Sequence, residues 1–289
     1  MPELPEVETV VRGIRPHLVG RRFVRLLQRR ANLRIPFPPR FCERVEGRRI
    51  LSVDRRAKYI LVRLDGQAPS DAGTRTVMGD DILIIHLGMT GRLVIGPRSP
   101  DDPGLHEHVE FTTDAGTTIR FSDPRRFGLM DLVAAHELDA DPRFAGLGPE
   151  PLSDQFTPDV LAAALAGRKI SIKAALLDQR VVAGLGNIYA CEALYASGIS
   201  PRRCAGTVQG ERAVRLTAAI KDVLRRAIAA GGSSARDYVQ ASGEAGWFQH
   251  AWAVYDREGR PCPHCDCRGF VKRIVQGGRS TFYCPKRQR

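Results

Sequence analysis

Lysine is the residue this chain nearly does without. Its 289 residues hold six lysines against 38 arginines, and only one lysine, Lys58, falls within the first 168. High genomic G+C content accounts for such a bias but not for the exception. A lone ammonium on a guanidinium-rich background marks a position where a compact point charge is wanted. Long apolar runs are missing too, since no stretch approaches the roughly 18–20 residues that a membrane-spanning helix requires. The chain opens Met-Pro-Glu, with acid where a secretory signal carries basic residues, so a cytoplasmic protein is expected. Cysteines number seven, an odd count, with four of them between positions 262 and 284. That crowding argues against a disulfide framework and for metal ligation.

What the chain has in excess is positive charge. A formal net charge of +12 points to a polyanionic partner, because each phosphate neutralised releases a counterion. Arginine's planar fork suits phosphates and guanine edges. Nucleic acid is therefore the first partner class to consider, with ribosome association as the plainer alternative.

Periodicity organises the rest. In ELPEVETVVRGIRPHLVG, residues Val7, Val10, Val11, Ile14 and Leu18 recur at helical spacing and Gly20 closes the run. From Arg22 to about Val133 short β-prone runs (IPF, RILSVD, YILVRL, DILIIHL, RLVI, HVEFTT, TIRF, GLMDLV) alternate with Gly, Pro and Asp, the pattern of an antiparallel sandwich or barrel. Residues 66–80 lack periodicity and read as a flexible hairpin loop. Helical signals then return. Thr157-Pro158 resembles an N-cap followed by proline, Ser171–Asp178 is a second helix, and Asn187 is expected to cap a third ending near Gly198. A long helix is expected between Thr207 and Ala230, with Val214, Ile220, Val223, Leu224 and Ile228 inward. The division this suggests is 1–135, a linker at 136–156, a helical domain at 157–235, a loop region at 236–253 and a cysteine-bearing tail at 254–289. The fold class is α+β: an N-terminal helix feeding an antiparallel β-sandwich, then a helical domain ending in a zinc-ribbon-like β-hairpin.

The opening PELPE is the most informative string. Removal of Met1 ahead of so small a residue would expose the secondary amine of Pro2. An α-amino group titrates near roughly 8, well below lysine, and the positive end of a helix lowers it further. Such an amine attacks an electrophilic carbon and forms an iminium. Glu3 and Glu6 lie one helical turn apart, so both can serve that site, one moving protons and the other holding sugar or amine. The plainer alternative is that these residues only favour a helix N-terminus.

With RRAKYILVRL, HLGMTGRL, SDPRRFG, SIKAALLDQRVVAGLGNIYACEALY and the cysteine tail, PELPEVETV resembles the bacterial formamidopyrimidine-DNA glycosylases along essentially the whole chain. The resemblance implies that Pro2 attacks C1′ of a damaged nucleotide and that Glu3 donates and accepts protons. It places Lys58 close to the lesion phosphate. Met89, Arg125 and Phe127 would fill the void left by the extruded base; a wedge, a cation and an aromatic suit that task. It further implies phosphate contacts for Lys173 and Asn187, where glycines and a helix N-terminus let backbone approach an anion. DNA contacts are implied for His106 and Tyr255, and a hairpin-tip role on the lesion phosphate for Arg279. The expected activity is excision of 8-oxoguanine and formamidopyrimidines with β- and δ-elimination, by a monomer acting on double-stranded DNA that holds oxidised or abasic sites and lying in a basic cleft between domains. An endonuclease VIII-like enzyme and a non-catalytic lesion binder are the rivals.

The tail departs from the family's four-cysteine zinc ribbon. Cys262 and Cys265 form one Cys-x2-Cys pair, but the place three residues after Cys284 belongs to Arg287, which cannot ligate zinc. A segment of ~25 residues has no adequate core of its own. The expectation is therefore one structural Zn2+ held by Cys262, Cys265 and Cys284, with water or a neighbouring donor as fourth ligand.

Overall fold

The helical spacing at the start of the chain becomes α1 (Leu4–Leu18), and all five apolar positions that predict it are buried. The structure, a computed structural model, describes residues 1–68, 76–77, 79–96, 104–234, 238–263 and 268–289. It divides into two units: Met1–Ala145 with Gly231–Gly246, and Gly146–Ala230 with Trp247–Arg289.

After α1 the first unit runs β1 (Phe23–Gln28), α2 (Phe41–Val45), β2 (Ile50–Arg56), β3 (Tyr59–Leu64), β4 (Gln67–Ala68), β5 (Thr76–Val77), β6 (Asp81–His86), β7 (Arg92–Ile95), β8 (Glu107–Thr113), β9 (Thr118–Ser122) and β10 (Leu129–Ala134). Two four-stranded antiparallel sheets form, in the orders β1-β8-β9-β7 and β10-β6-β3-β2. Side chains alternate across each strand, so the inward rows of both sheets and the apolar stripe of α1 share one core, with Val7, Ile14, Phe23, Ile60, Leu83, Phe111 and Phe121 among its members. The short strands β4 and β5 pair with each other. Most of the loop expected at 66–80, namely 69–75 and 78, lies outside the described residues. The run IPF forms no strand; it carries a single bridge, Asn32 to Pro36.

The second unit holds α3 (Pro158–Leu165), α4 (Ile172–Leu177), α5 (Asn187–Ala196), α6 (Glu211–Ala229) and the hairpin β11 (Lys272–Gln276) with β12 (Arg279–Tyr283). Thr157 and Ser171 cap α3 and α4 through their hydroxyls, accepting from Val160 N and Ala174 N. Asn187 is the first residue of α5, not its cap; Gly186 holds that place. Val214, expected inward, is 53% exposed, because nine residues at about 100° each put it on the side of α6 opposite buried Val223. Ile220, Val223, Leu224 and Ile228 are buried as the period requires.

Candidate functional site

In the first unit, Pro2 is buried and Glu3 takes the N-cap of α1 in extended backbone, with Val7 N donating to its carbonyl at 3.1 Å. Glu3 and Glu6 are 4% and 2% exposed, so this carboxylate pair is sequestered. One oxygen of Glu6 accepts from Glu3 N at 2.8 Å and the other from Ser233 N at 2.8 Å. The second contact depends on Gly232: at φ +82° a Cβ there would come within 3.1 Å of Glu6 Cγ. Glu6 was expected to share the chemistry, yet both its oxygens are committed to backbone amides. We assign it a positioning part, fixing the backbone of Glu3 and the segment that starts at Gly231. Exchanging Glu6 for glutamine leaves one acceptor for two donors, so it should lower the unfolding free energy by about 1–3 kcal/mol. An unchanged denaturation midpoint would remove that assignment.

Lys58 sits in the two-residue turn joining β2 to β3, after Ala57 at φ +52°, a conformation that favours glycine. It is 8% exposed. Beside it, the His86 ring tilts against Tyr59 at 4.8 Å and its Nδ1 accepts from Gly88 N at 3.0 Å. Burial, followed by the charges of Lys58 and Arg34, pulls the His86 pKa down to about 4, so the ring is neutral and carries its proton on Nε2.

The loops bearing Met89 and Phe127 are packed back to back. A Cβ on Gly88 would lie 2.3 Å from the Phe127 carbonyl carbon, and one on Gly128 would lie 2.9 Å from His86 O. Only glycine permits that approach. Asp123, wholly buried, staples the pair: one oxygen accepts from Thr90 Oγ1 at 2.5 Å, the other from Gly128 N at 2.7 Å. Thr90 Oγ1 in turn accepts from Arg125 N at 3.3 Å. On this base Met89 and Phe127 stand 39% and 43% exposed, and the Arg125 guanidinium lies 4.6 Å from the Phe127 ring centroid. Exposed His106 is tied to the same staple through its carbonyl, which accepts from Asp123 N at 2.9 Å. The structure thus brings Met89, Arg125 and Phe127 together in the unit that holds Pro2, Glu3 and Lys58.

In the second unit, Gln179 braces the glycine turn ahead of α5, accepting from Gly184 N at 2.8 Å and donating to Leu185 O at 2.9 Å. The Asn187 amide donates to Ser280 O at 3.0 Å. Lys173 is 0% exposed, and its ammonium donates to Ser280 O at 3.1 Å and Thr281 Oγ1 at 2.7 Å. The expected direct phosphate contact for Lys173 is therefore not what the fold displays, because its charge is spent on β12, the strand that begins with exposed Arg279. Half-buried Tyr255 packs edge-on against Trp252 and Phe282 at 4.9 and 5.2 Å. Its backbone amide donates to Glu192, a buried carboxylate that also accepts from Ala253 N and Val254 N. Burial, outweighing these three bonds, raises the Glu192 pKa.

Of the cysteines expected to bind zinc, Cys284 is fully buried, Cys262 packs against the same cluster, and Cys265 lies outside the described residues. Among the described residues no group of three or more His, Cys, Asp or Glu side chains could hold a metal ion. Arg287 turns away onto the Tyr195 ring, 4.9 Å from its centroid. Cys262 and Cys284 are the two thiols of the expected set within the described residues; Cys265 and the neighbouring His264 and Cys267 lie outside them. The tail has no core of its own, as expected, but it does not stand alone. Val271, Phe282 and Cys284 share one with Cys191 and Tyr195 of α5 and with Val254.

Sequence reasoning missed His86, Thr90, Asp123 and Glu192. The first three sit inside strings already singled out, HLGMTG and SDPRRFG, where only the exposed members drew notice. The signal for Asp123 was an acid directly before Pro-Arg-Arg.

The comparisons agree with one another. The profile of the formamidopyrimidine-DNA glycosylase N-terminal domain matches residues 1–130, and that of the formamidopyrimidine-DNA glycosylase H2TH domain matches residues 147–239. Relatives named formamidopyrimidine-DNA glycosylase are 54% identical over 299 positions in Rhodospirillum centenum and 53% over 300 in Phenylobacterium zucineum, each covering 100% of both chains. The structure of MutM (Fpg) from Thermus thermophilus is 40% identical with a TM-score of 0.83, covering 99% of this chain and 98% of that one. The Lactococcus lactis Fpg complexed with abasic-site DNA is 28% identical with a TM-score of 0.83, covering 100% of each chain.

Proposed function

The chain belongs to the formamidopyrimidine-DNA glycosylase family, and from that premise we propose that this DNA glycosylase of base excision repair removes oxidised purines and then cuts the strand through a Schiff base on Pro2. The observation that carries the reading is the exposed trio Met89, Arg125 and Phe127, locked on glycine-packed loops by a buried Asp123. A base must leave the stack before C1′ can be attacked, and the gap it leaves must be filled. An unbranched wedge, a cation for the orphaned partner base and a stacking ring are the chemistry for that filling.

With Met1 removed, the Pro2 nitrogen forms a bond to C1′ while the glycosidic bond breaks and its electrons leave with the base, which takes up a proton. The sugar ring opens to an iminium. Loss of a proton from C2′ expels the 3′ phosphate, a second elimination expels the 5′ phosphate, and water then releases Pro2. Glu3 is the group that moves protons. Lys58 and Arg279 hold the phosphates flanking the lesion, and His106, Asn187 and Tyr255 contact the DNA. Lys173 contributes by fixing β12. Zinc takes no part in these steps; thiolates from Cys262, Cys265 and Cys284 with water or a neighbouring donor as fourth ligand would hold it, and a chelator should remove it readily.

The substrate class is tested by comparing single-turnover excision of 8-oxoguanine opposite cytosine with that of thymine glycol opposite adenine. The purine lesion should be removed faster. Preference for thymine glycol would assign the site to oxidised pyrimidines, and absence of excision by protein whose N-terminal mass shows free Pro2 would leave only a lesion binder.

A further inference from the structure

Arg287 occupies the place where a second Cys-x2-Cys pair would be completed, and its side chain is turned onto Tyr195. The guanidinium carbon stacks 4.9 Å from the Tyr195 ring centroid while its Nε donates to Tyr195 O at 3.3 Å. The hydroxyl of Tyr195 meets Cys262 Sγ at 3.1 Å. One residue of α5 therefore connects the end of the chain to the first cysteine of the other pair. Gln288, 3% exposed, completes the closure: its side-chain oxygen accepts from Cys284 N at 2.8 Å, its backbone N donates to Cys284 O at 2.9 Å, and its Nε2 donates to Ile199 O at 3.0 Å. Arg289 N then donates to Gly198 O at 3.1 Å. Together these bonds close the segment after β12 on itself and tie it to α5 and to the turn that follows.

In a closed zinc site the ion joins the two ends of a hairpin that has too little core to hold itself. Here the ends are joined through α5, and the core is shared with it. We propose that Arg287 is a positioning residue that takes over the structural work of a metal, clamping the end of β12 to Tyr195 so that the hairpin stays docked when no ion is bound. A guanidinium suits this task, since it is charged at every accessible pH and offers a flat face to a ring while an N–H reaches a carbonyl. Zinc held by the three cysteines is then separable from docking. The use of Arg279 on DNA rests on the function proposed above; the docking does not.

The test is amide hydrogen exchange of residues 272–283 in the full chain, before and after chelation, with zinc counted on the same samples. Chelation of the native protein should leave exchange in the hairpin unchanged. Arg287→Met keeps the length but removes charge and N–H, and should speed hairpin exchange by about tenfold or more, with α6 protected as before, which shows that the unit still folds. Arg287→Cys completes a four-thiol set and should restore protection in a form that chelation abolishes and zinc returns. The proposal is overturned if chelating the native protein opens the hairpin as far as Arg287→Met does, or if Arg287→Met leaves exchange untouched. Metal-independent protection in Arg287→Cys would overturn it as well, since the hairpin would then need neither brace.

Discussion

Exchanging Glu3 for glutamine should slow base release from DNA carrying 8-oxoguanine by about 10²–10⁴-fold, the range of a positioned general acid, while impairing scission at a ready-made abasic site far less. The difference follows from the chemistry: a departing base needs a proton, whereas an abasic sugar is already an aldehyde equivalent open to attack by an amine. Burial of Glu3 at 4% exposure, with its backbone fixed by Glu6, places this carboxylate where it can act without competing water. The same experiment reads the nucleophile. Borohydride should trap native protein covalently on lesion DNA, and replacing Pro2 by glycine should sharply reduce both trapping and strand scission, because a different amine in a looser backbone then sits at C1′. Equal loss on both substrates in Glu3→Gln would refute the role of Glu3. Undiminished trapping without Pro2, mapping to Lys58, would move the nucleophile to the lysine.

Much of the fold could be read from the sequence because its determinants are local. The 3.6-residue stripe of Val7, Val10, Val11, Ile14 and Leu18 is a statement about one helix, and the caps Thr157 and Ser171 speak only to residues three positions on. What stayed hidden depends on residues far apart in the chain. Nothing near Gly231 and Gly232, just past the end of α6, says that the residue that follows meets α1, where Ser233 N finds Glu6. Lys173 stands within a helix of ordinary composition; its burial is decided by β12, more than a hundred residues later. The tail, judged alone, has too few apolar residues for a core, and its stability becomes visible only with Tyr195 and Cys191 beneath it. Exposed candidate residues were easier to find than their holders. Met89, Arg125 and Phe127 are odd residues to leave in solvent, whereas Asp123 and His86 are ordinary until the bonds around them are drawn.

Acidification should strip about 2–3 kcal/mol from the first unit through His86 alone. The folded ring has its pKa pulled down to about 4 from an ordinary value near 6.5, by burial first and then by the Lys58 and Arg34 charges. In the unfolded chain the same ring takes up a proton at the ordinary value. Between these two points the unfolded state binds more protons than the folded one, so stability is fully present above about 6.5 and falls as pH drops towards about 4. The fall from about 6.5 to about 4 corresponds to somewhat over 3 kcal/mol, trimmed here because the ring is largely but not wholly buried. The measurement is the denaturation midpoint against pH for native protein and for His86→Gln, whose side chain keeps an acceptor for Gly88 N but cannot titrate. The variant should begin less stable at neutral pH and lose less between about 6.5 and 4, so that the two curves converge. Protonating the ring would also remove the acceptor for Gly88 N, loosening the loop that carries Met89. Lesion-DNA affinity of the native protein should then decline only as pH approaches about 4, where the folded ring takes up its proton, and that of His86→Gln should not. Parallel stability curves would mean that His86 keeps its ordinary pKa in the fold and that the neutral ring is no part of how this loop is held.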